Sequence, residues 1–322
     1  MKISVAMTTR NGASYLREQL DSILAQTRMP DEVIVCDDQS TDETPELLRE
    51  YSAQAPIPVT VVFNERRLGS TKNFEQAIRL CSGEIIALSD QDDVWRPHKL
   101  AIIERKFAEN PDLGLVFSNG NLIDENGGQL RGDIWSRFWF GRRMQRWLDS
   151  SRDAYNLLLS RYFITGATMA FRSNLRPLCL PIPDAIPTFI HDRWIAVMIG
   201  AVARVDRIED RLIAYRLHAH QQMGVGNRPL LEHHLTPYDC SSDSKALDIM
   251  RPRMEDAKAM AANSQALQAL DIRRRHLAAR AALPSSLIWR LSGVAREYLS
   301  GRYQYYPFGS ADAVKDLLVG TR

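Results

Sequence analysis

Four cysteines in 322 residues are too few for a disulfide framework. Cys36, Cys81, Cys179 and Cys240 show no CxxC spacing, so they read as reduced thiols of a cytosolic protein. No run reaches the roughly 18 uninterrupted apolar residues that a membrane-spanning helix needs. The opening stretch Met1–Met7 is too short for a secretory signal, and Arg10 follows at once. The chain is therefore expected to meet its substrates in the cytoplasm, or as a peripheral protein on the inner face of the cell membrane. Net charge is also scarce. The 41 basic and 39 acidic side chains leave only +2, which argues against nucleic acid as a partner. A glycine fingerprint is missing after the first apolar run, which argues against a dinucleotide cofactor. Internal repeats and low-complexity tracts are absent.

What the sequence does hold is alternation. Ile3–Met7, Val33–Cys36, Val59–Phe63 and Ile85–Leu88 are short apolar or β-branched runs that predict buried strands. Between them, Leu16, Leu20, Ile23 and Leu24 share one helical face. Residues 42–51 and 73–81 predict two more helices, with Pro45 tolerated in a first turn. Strands alternating with helices imply an α/β fold: a Rossmann-like, mostly parallel sheet flanked by helices. In such sheets ligands sit outside the carboxyl ends of the strands. Further on, Leu115–Phe117 and Phe163–Phe171 predict strands and Ile190–Ile199 a helix. Residues 131–147 are rich in arginine and aromatics, and suit either core or a loop over an acceptor.

Two strands end in acid. Asp90-Gln91-Asp92-Asp93 places three carboxylates in four residues directly after an apolar strand. They repel one another, and a hard divalent cation, Mg²⁺ or Mn²⁺, would neutralise them and bridge to a diphosphate. The plainer reading is a solvated turn that caps the next helix. Asp37-Asp38 can accept hydrogen bonds from a ribose hydroxyl or a base N–H, or can form an Asx turn at a helix start.

Seven stretches then occur in order: Thr8-Thr9-Arg10-Asn11-Gly12, Asp37 to Asp42, Asn64 to Gly69, Ser89-Asp90-Gln91-Asp92-Asp93-Val94-Trp95, Thr165 to Met169, His191-Asp192-Arg193-Trp194 and Tyr215-Arg216-Leu217-His218. Together, over about residues 1–225, they resemble glycosyltransferase family 2, the inverting nucleotide-sugar transferases of GT-A fold. The Ser89–Trp95 stretch looks most like bacterial rhamnosyltransferases of surface polysaccharide assembly. The resemblance implies roles position by position. Thr8 and Asp38 match positions that hold the nucleoside. Asp90 and Asp92 match the acidic motif, with Asp92 a direct metal ligand; the adjacent Asp93 either orders the loop or touches the donor. Asp192 matches the general base, and His218 a group that touches metal or diphosphate. Lys72 is a further candidate for the donor phosphates. Arg10 belongs to the donor site but stands where many relatives have Tyr, and Gln39 replaces a commoner Gly.

The implied reaction moves a hexose-class sugar from a nucleoside diphosphate to a glycan or polyprenyl-linked acceptor. The donor expected first is dTDP-L-rhamnose, with a UDP-sugar second. A nucleotidyltransferase would carry a Gly-rich basic loop after the first strand, and residues 8–14 lack one. A non-catalytic nucleotide- or glycan-binding module would not need Asp192. The organisation expected is a transferase domain over residues 1–226 and a helical region over 227–322. From Arg251 to Arg302 ten basic side chains face four acidic ones, in two predicted helices broken at Pro284, and a last helix begins at Ser310. With Leu287, Ile288, Trp289 and Tyr303 interleaved, this region suits a membrane surface; the plainer readings are a solvated face or a dimer contact.

Overall fold

The computed structural model describes residues 1–150, 153–184, 186–219, 238–256 and 264–321. Its first half alternates as predicted: β1 (Ile3–Thr9), α1 (Ala13–Leu24), β2 (Glu32–Asp37), α2 (Thr44–Gln54), β3 (Val59–Phe63), α3 (Ser70–Leu80) and β4 (Ile85–Ser89). Every residue of β1 and β4 is buried. That follows from their unbroken apolar runs, which only a strand covered on both faces can hide. Helix α1 supplies cover through Leu16, Leu20 and Ile23, and α3 through Phe74, Ala77 and Ile78. β2 and β4 flank β1 in parallel, and β3 lies outside β2. In register, Thr9 stands beside Asp37 and Met7 beside Ser89. The carboxyl ends of three strands therefore share one rim.

The second half turns the parallel sheet into a mixed one. It adds β5 (Val94–Trp95), α4 (Lys99–Glu109), β6 (Leu113–Ile123), β7 (Gln129–Asp133), β8 (Met169–Arg172) and β9 (Arg204–Arg216). The nine strands run in the order β3-β2-β1-β4-β8-β6-β9-β5, with β7 beside β6. β8 is antiparallel to both β4 and β6, while β9 runs parallel to β6. One connection sets the shape. Residues 90–93 alone link β4 to β5, although β8, β6 and β9 lie between them. Four strand spacings are roughly 19 Å, and five extended Cα steps reach only roughly 18 Å. A loop that is not fully stretched can make this connection only if the sheet curls, so the acidic loop closes over the curl.

The expected strand over Phe163–Phe171 shrinks to Met169–Arg172. Gly166–Thr168 forms a 3₁₀ turn instead, because the Gly166 N–H is taken by Asp192 Oδ2 and the Thr168 hydroxyl by the Thr165 carbonyl. Beyond residue 238 the helices are Cys240–Asp256, Ser264–Ala281, Leu287–Leu299 and Gly309–Leu318. Among the described residues three helical stretches fall between Arg251 and Arg302, where two helices were predicted, residues 257–263 lying outside them; the break at Pro284 is as expected. The first two bury Met250, Met254, Leu270 and Leu277 in the same core as the sheet, while Val294, Tyr303 and Ala313 form a smaller second core. The boundary expected at residues 226 and 227 and the basic Lys258 lie outside the described residues. All four cysteines are free and buried.

Candidate active site

The acidic loop is held open by its one uncharged member. The Gln91 Oε1 accepts the Arg10 N–H at 2.7 Å and its Nε2 donates to the Arg10 carbonyl at 3.0 Å. This two-way bond ties the loop to the end of β1. It also explains Gly12, where a Cβ would fall 2.3 Å from Gln91 Oε1. With Gln91 so engaged, the carboxylates are left for other work. Asp93 is buried; its Oδ1 accepts the Arg216 N–H at 3.0 Å, and its Oδ2 has no partner among the described residues. Asp92 Oδ2 lies 2.9 Å from His218 Nε2. The Asp90 carboxylate has no hydrogen-bond partner among the described residues. Burial, then Asp92 and Asp192, push the Asp90 carboxyl up to about 8. Burial, then Asp92 and Asp90, hold Asp93 well above the usual carboxylate range. Lys99 is the buried cation of this neighbourhood. Its Nζ donates to the Ala167 carbonyl at 2.7 Å and sits 3.9 Å from the Trp95 ring centre, so it does not bond the acids. Burial brings it down to about 7, against the pull of Asp93 and Asp90.

The end of β9 fixes the other wall. Arg216 is buried and donates to the Asp92 carbonyl at 2.8 Å and to Glu18 Oε2 at 2.5 Å. Its guanidinium lies over the Tyr15 ring at 4.7 Å, and the same ring meets His218 at 5.0 Å. Arg216 and Tyr15 thus set the position of His218 against Asp92.

Among the described residues no three His, Cys, Asp or Glu side chains gather as a ready metal cage. The Asp92–His218 pair beside Asp90 still fits Mg²⁺ or Mn²⁺. Such an ion keeps several waters and takes only one or two protein ligands, with phosphate oxygens completing its shell.

The nucleoside side departs from expectation. Asp38 was expected to face the donor, but its oxygens accept the backbone N–H groups of Leu68 at 2.6 Å and Gly69 at 2.9 Å, and Asn64 Nδ2 at 3.2 Å. Its role in this structure is to clamp the loop 64–69 against β2. Gly69 bends there at φ +79°, a region where other residues are strained. Asn73 completes the clamp by bonding Asn64 and the Cys36 carbonyl. Arg10 Nη1 donates to the Asp38 carbonyl at 2.6 Å. Thr8 is buried one residue before the end of β1. Lys72 also departs from expectation. Its ammonium bonds Glu75 at 2.8 Å and the Ile182 carbonyl at 2.6 Å, and Asp184 lies 3.4 Å away. It anchors the 182–184 segment rather than standing free for a phosphate.

Asp192 lies in the first turn of the helix His191–Gly200 and is buried. Its Oδ2 accepts the Tyr162 hydroxyl at 2.7 Å and the Gly166 N–H at 3.1 Å, and its Oδ1 accepts the Arg193 N–H at 2.6 Å. Its charge adds to those that raise Asp90. His191 stacks on Phe74 at 4.1 Å, and neither ring nitrogen has a partner. Burial lowers its pKa, which keeps it neutral. Tyr162 is the residue that sequence reasoning missed here, since nothing local marks it. Gln91 stood inside a motif but was given no role. Of the aromatic stretch 131–147, Trp135 and Phe140 pack with Phe117 and Phe163 in the core, while Trp139 stays exposed.

A curled α/β sheet whose fourth strand delivers an acidic loop opposite the β1 and β2 termini is the GT-A fold. Residues 4–160 match the sequence model of Glycosyl transferase family 2. An uncharacterized glycosyltransferase of Nostoc sp. is 36% identical over 222 residues, covering 68% of this chain and 65% of that protein. Another, from Methanocaldococcus jannaschii, is 34% identical over 217 residues, covering 67% and 70%. The chain belongs to glycosyltransferase family 2. The dTDP-rhamnosyl transferase RfbG of Shigella flexneri is 32% identical over 124 residues, 37% of this chain and 40% of that protein. S. aureus TarS 1–349 in complex with UDP-GlcNAc shares the fold at a TM-score of 0.60 and 15% identity, over 98% of this chain and 90% of that one. A mannosyltransferase from Pyrobaculum calidifontis in complex with GDP-Man and Mn²⁺ does so at 0.50 and 21%, over 98% and 87%. The chain spans slightly under two thirds of the Nostoc relative's length.

Proposed function

We propose that the chain is an inverting, metal-dependent glycosyltransferase that moves a sugar from a nucleoside diphosphate to an acceptor hydroxyl. The observation that carries this reading is the acidic loop at the end of β4, where Asp92 meets His218 at 2.9 Å and the Asp90 carboxylate has no hydrogen-bond partner among the described residues. Asp92, His218 and Asp90 would hold Mg²⁺ or Mn²⁺. Bound there, the ion supplies Lewis-acid shielding for the charge that grows on the departing diphosphate. The chain's own residues do the rest. Asp192 takes the proton from the acceptor hydroxyl as it attacks the anomeric carbon. The Tyr162 hydroxyl and the Gly166 N–H fix its carboxylate in one orientation. Thr8 and Arg10 border the donor at the end of β1, and Asp38 acts indirectly through the loop 64–69. Asp93 holds the acidic loop to β9.

For the donor we favour dTDP-L-rhamnose, supported by the Ser89–Trp95 stretch and the partial likeness to RfbG. A UDP-sugar is the second reading, supported by the shared fold with TarS. The acceptor class is a glycan or a polyprenyl-linked saccharide of bacterial surface polysaccharide synthesis. A thermal-shift panel of nucleotide sugars with and without Mn²⁺ tests all of this, because a ligand bound only by the folded state raises its melting point. One sugar nucleotide should stabilise the protein in a metal-dependent way and then be consumed in the presence of acceptor. A stabilising nucleotide sugar that is never turned over by any acceptor extract would instead point to a binding module.

A further inference from the structure

The helix Leu287–Leu299 shows water an apolar face. Leu287, Ile288, Leu291, Tyr298 and Leu299 are all exposed, Ile288 to 79% and Leu299 to 86%. At 100° per residue these five, with Ala295 between, occupy one continuous arc of roughly 120°. The helix's inner side is spent on Val294 and Glu297, which are buried. The neighbouring helix Gly309–Leu318 adds Val314 and Leu318, exposed to 56% and 69%. The Tyr298 hydroxyl meets Ser310 Oγ at 3.1 Å, and Arg290 Nη1 reaches the Leu317 carbonyl at 3.1 Å. These contacts run the two helices side by side, each with exposed apolar residues. Apolar patches of this kind on a folded chain mark a contact.

The charges around the patch select its partner. Glu297, the helix's acid, is turned inward to His276 and Arg302. On the neighbouring helix, Asp316 is buried against Arg280, and Asp312 pairs with Arg161. Arg296 and Trp289 flank the apolar arc, and Arg296 has no carboxylate partner among the described residues. Trp289 is 68% exposed. Every acid of these two helices is thus neutralised from within, while an arginine and aromatic rings edge the apolar arc. A second copy of the chain would bring the same arginines against themselves. A bilayer with anionic headgroups offers them opposite charge and offers the arc a hydrocarbon boundary.

We propose that this two-helix face docks the protein on the surface of an anionic lipid bilayer, with the helix Leu287–Leu299 lying in the plane of the interface. The docking needs no sugar donor, so its fate is separate from that of the transferase reading. The test uses the full chain and vesicles of phosphatidylethanolamine and phosphatidylglycerol at 3:1, with pure phosphatidylcholine for comparison. Wild type should float with the anionic vesicles at low salt and be released in 0.5 M NaCl, about three times shorter in Debye length than 0.05 M. The triple change Ile288→Gln, Trp289→Gln, Leu299→Gln should lower the partition coefficient by at least roughly tenfold, the scale of a few apolar side chains. These side chains are exposed, so the melting temperature should hold, and an unchanged far-ultraviolet circular dichroism spectrum confirms folding. Arg296→Gln should weaken binding to anionic vesicles and leave phosphatidylcholine unaffected. Equal flotation of wild type and the folded triple variant overturns the proposal. So does a wild-type dimer by sedimentation velocity that the triple variant turns into a monomer while neither binds lipid.

Discussion

Asp243, buried, and Asp90, half-buried, are both aspartates among other charges, and the chain treats them in opposite ways. Asp243, in the helix Cys240–Asp256, accepts from Arg193 at 3.3 Å, from Arg273 at 3.2 Å and from the Tyr238 hydroxyl. These cations overcome its burial and hold its carboxyl below the usual range. Asp316 is served likewise by both nitrogens of Arg280 at 2.6 Å. Asp90 has no such partner, and its neighbours Asp92 and Asp192 carry its own sign. A buried carboxylate without a partner is costly. Among the described residues arginines bond Asp243 and Asp316 and none bonds Asp90. The two clusters also touch the same helix: Asp192 and Arg193 are neighbours, one turned to the acidic loop and the other to Asp243.

The largest effect should come from the uncompensated cluster. Asp92→Ala should abolish transfer while the protein stays folded, since it relieves repulsion within the acidic loop and gives up only the contact with His218. Excess EDTA should do the same to wild type. Full turnover in EDTA would mean that the loop needs no cation. Next is Asp192→Asn, which keeps the hydrogen bond from the Tyr162 hydroxyl and removes the basicity. Turnover should fall by about 10²–10⁴-fold with donor affinity nearly unchanged, because the base addresses the acceptor. A collapse of donor affinity by calorimetry would move Asp192 into the donor site. Asp243→Ala makes the contrast from the other side. It leaves Arg193 and Arg273 buried and unpaired, so unfolding free energy should drop by about 3–5 kcal/mol, read from denaturant melts. A melt indistinguishable from wild type would erase the distinction between the clusters.

Much of this was legible in the sequence, for reasons that can be named. β1 and β4 showed as unbroken apolar runs because both their faces are covered. Asp90, Asp92 and Asp93 showed because they are adjacent in the chain. What stayed hidden is what distant residues do to one another. Arg216 meets Glu18 across 198 positions, and Tyr162 meets Asp192 across 30. Neither pair carries a local mark. Asp38 hid its neighbours for a different reason. Its partners are the N–H groups of Leu68 and Gly69, and backbone donors exist at every position, so no side chain betrays them. Phe163–Phe171 read as a strand because nothing in Thr165-Gly166-Ala167 shows that Asp192 will claim the Gly166 N–H.

The smallest effect, and the one that reads both clusters at once, is the pH dependence of stability in the metal-free protein. The Asp90 carboxyl is raised from 3.8 to about 8. Between those values the folded state holds a proton that the unfolded chain has released, so stability should fall as pH rises through that window. The compensated side slopes the other way. Asp243 is depressed, so its contribution is complete above the ordinary carboxylate range and is lost as pH drops through its folded value. His276, buried against Glu297 at 2.7 Å, is lowered by burial from 6.5 to about 4. It stays neutral while the unfolded chain takes up a proton, and so also removes stability as pH drops from about 6.5 to 4. Thermal melts in EDTA from pH 4 to 9 should therefore peak in mid-range. Asp90→Asn should lessen the alkaline arm, of which Asp93 keeps a part, and His276→Gln should lessen the acidic arm. Mn²⁺ with a nucleoside diphosphate should flatten the alkaline arm in wild type, because it binds the carboxylates in their charged form. An alkaline arm that survives Asp90→Asn unchanged would show that the acidic loop already has its compensation within the protein, and the case for a cation there would lose its physical basis.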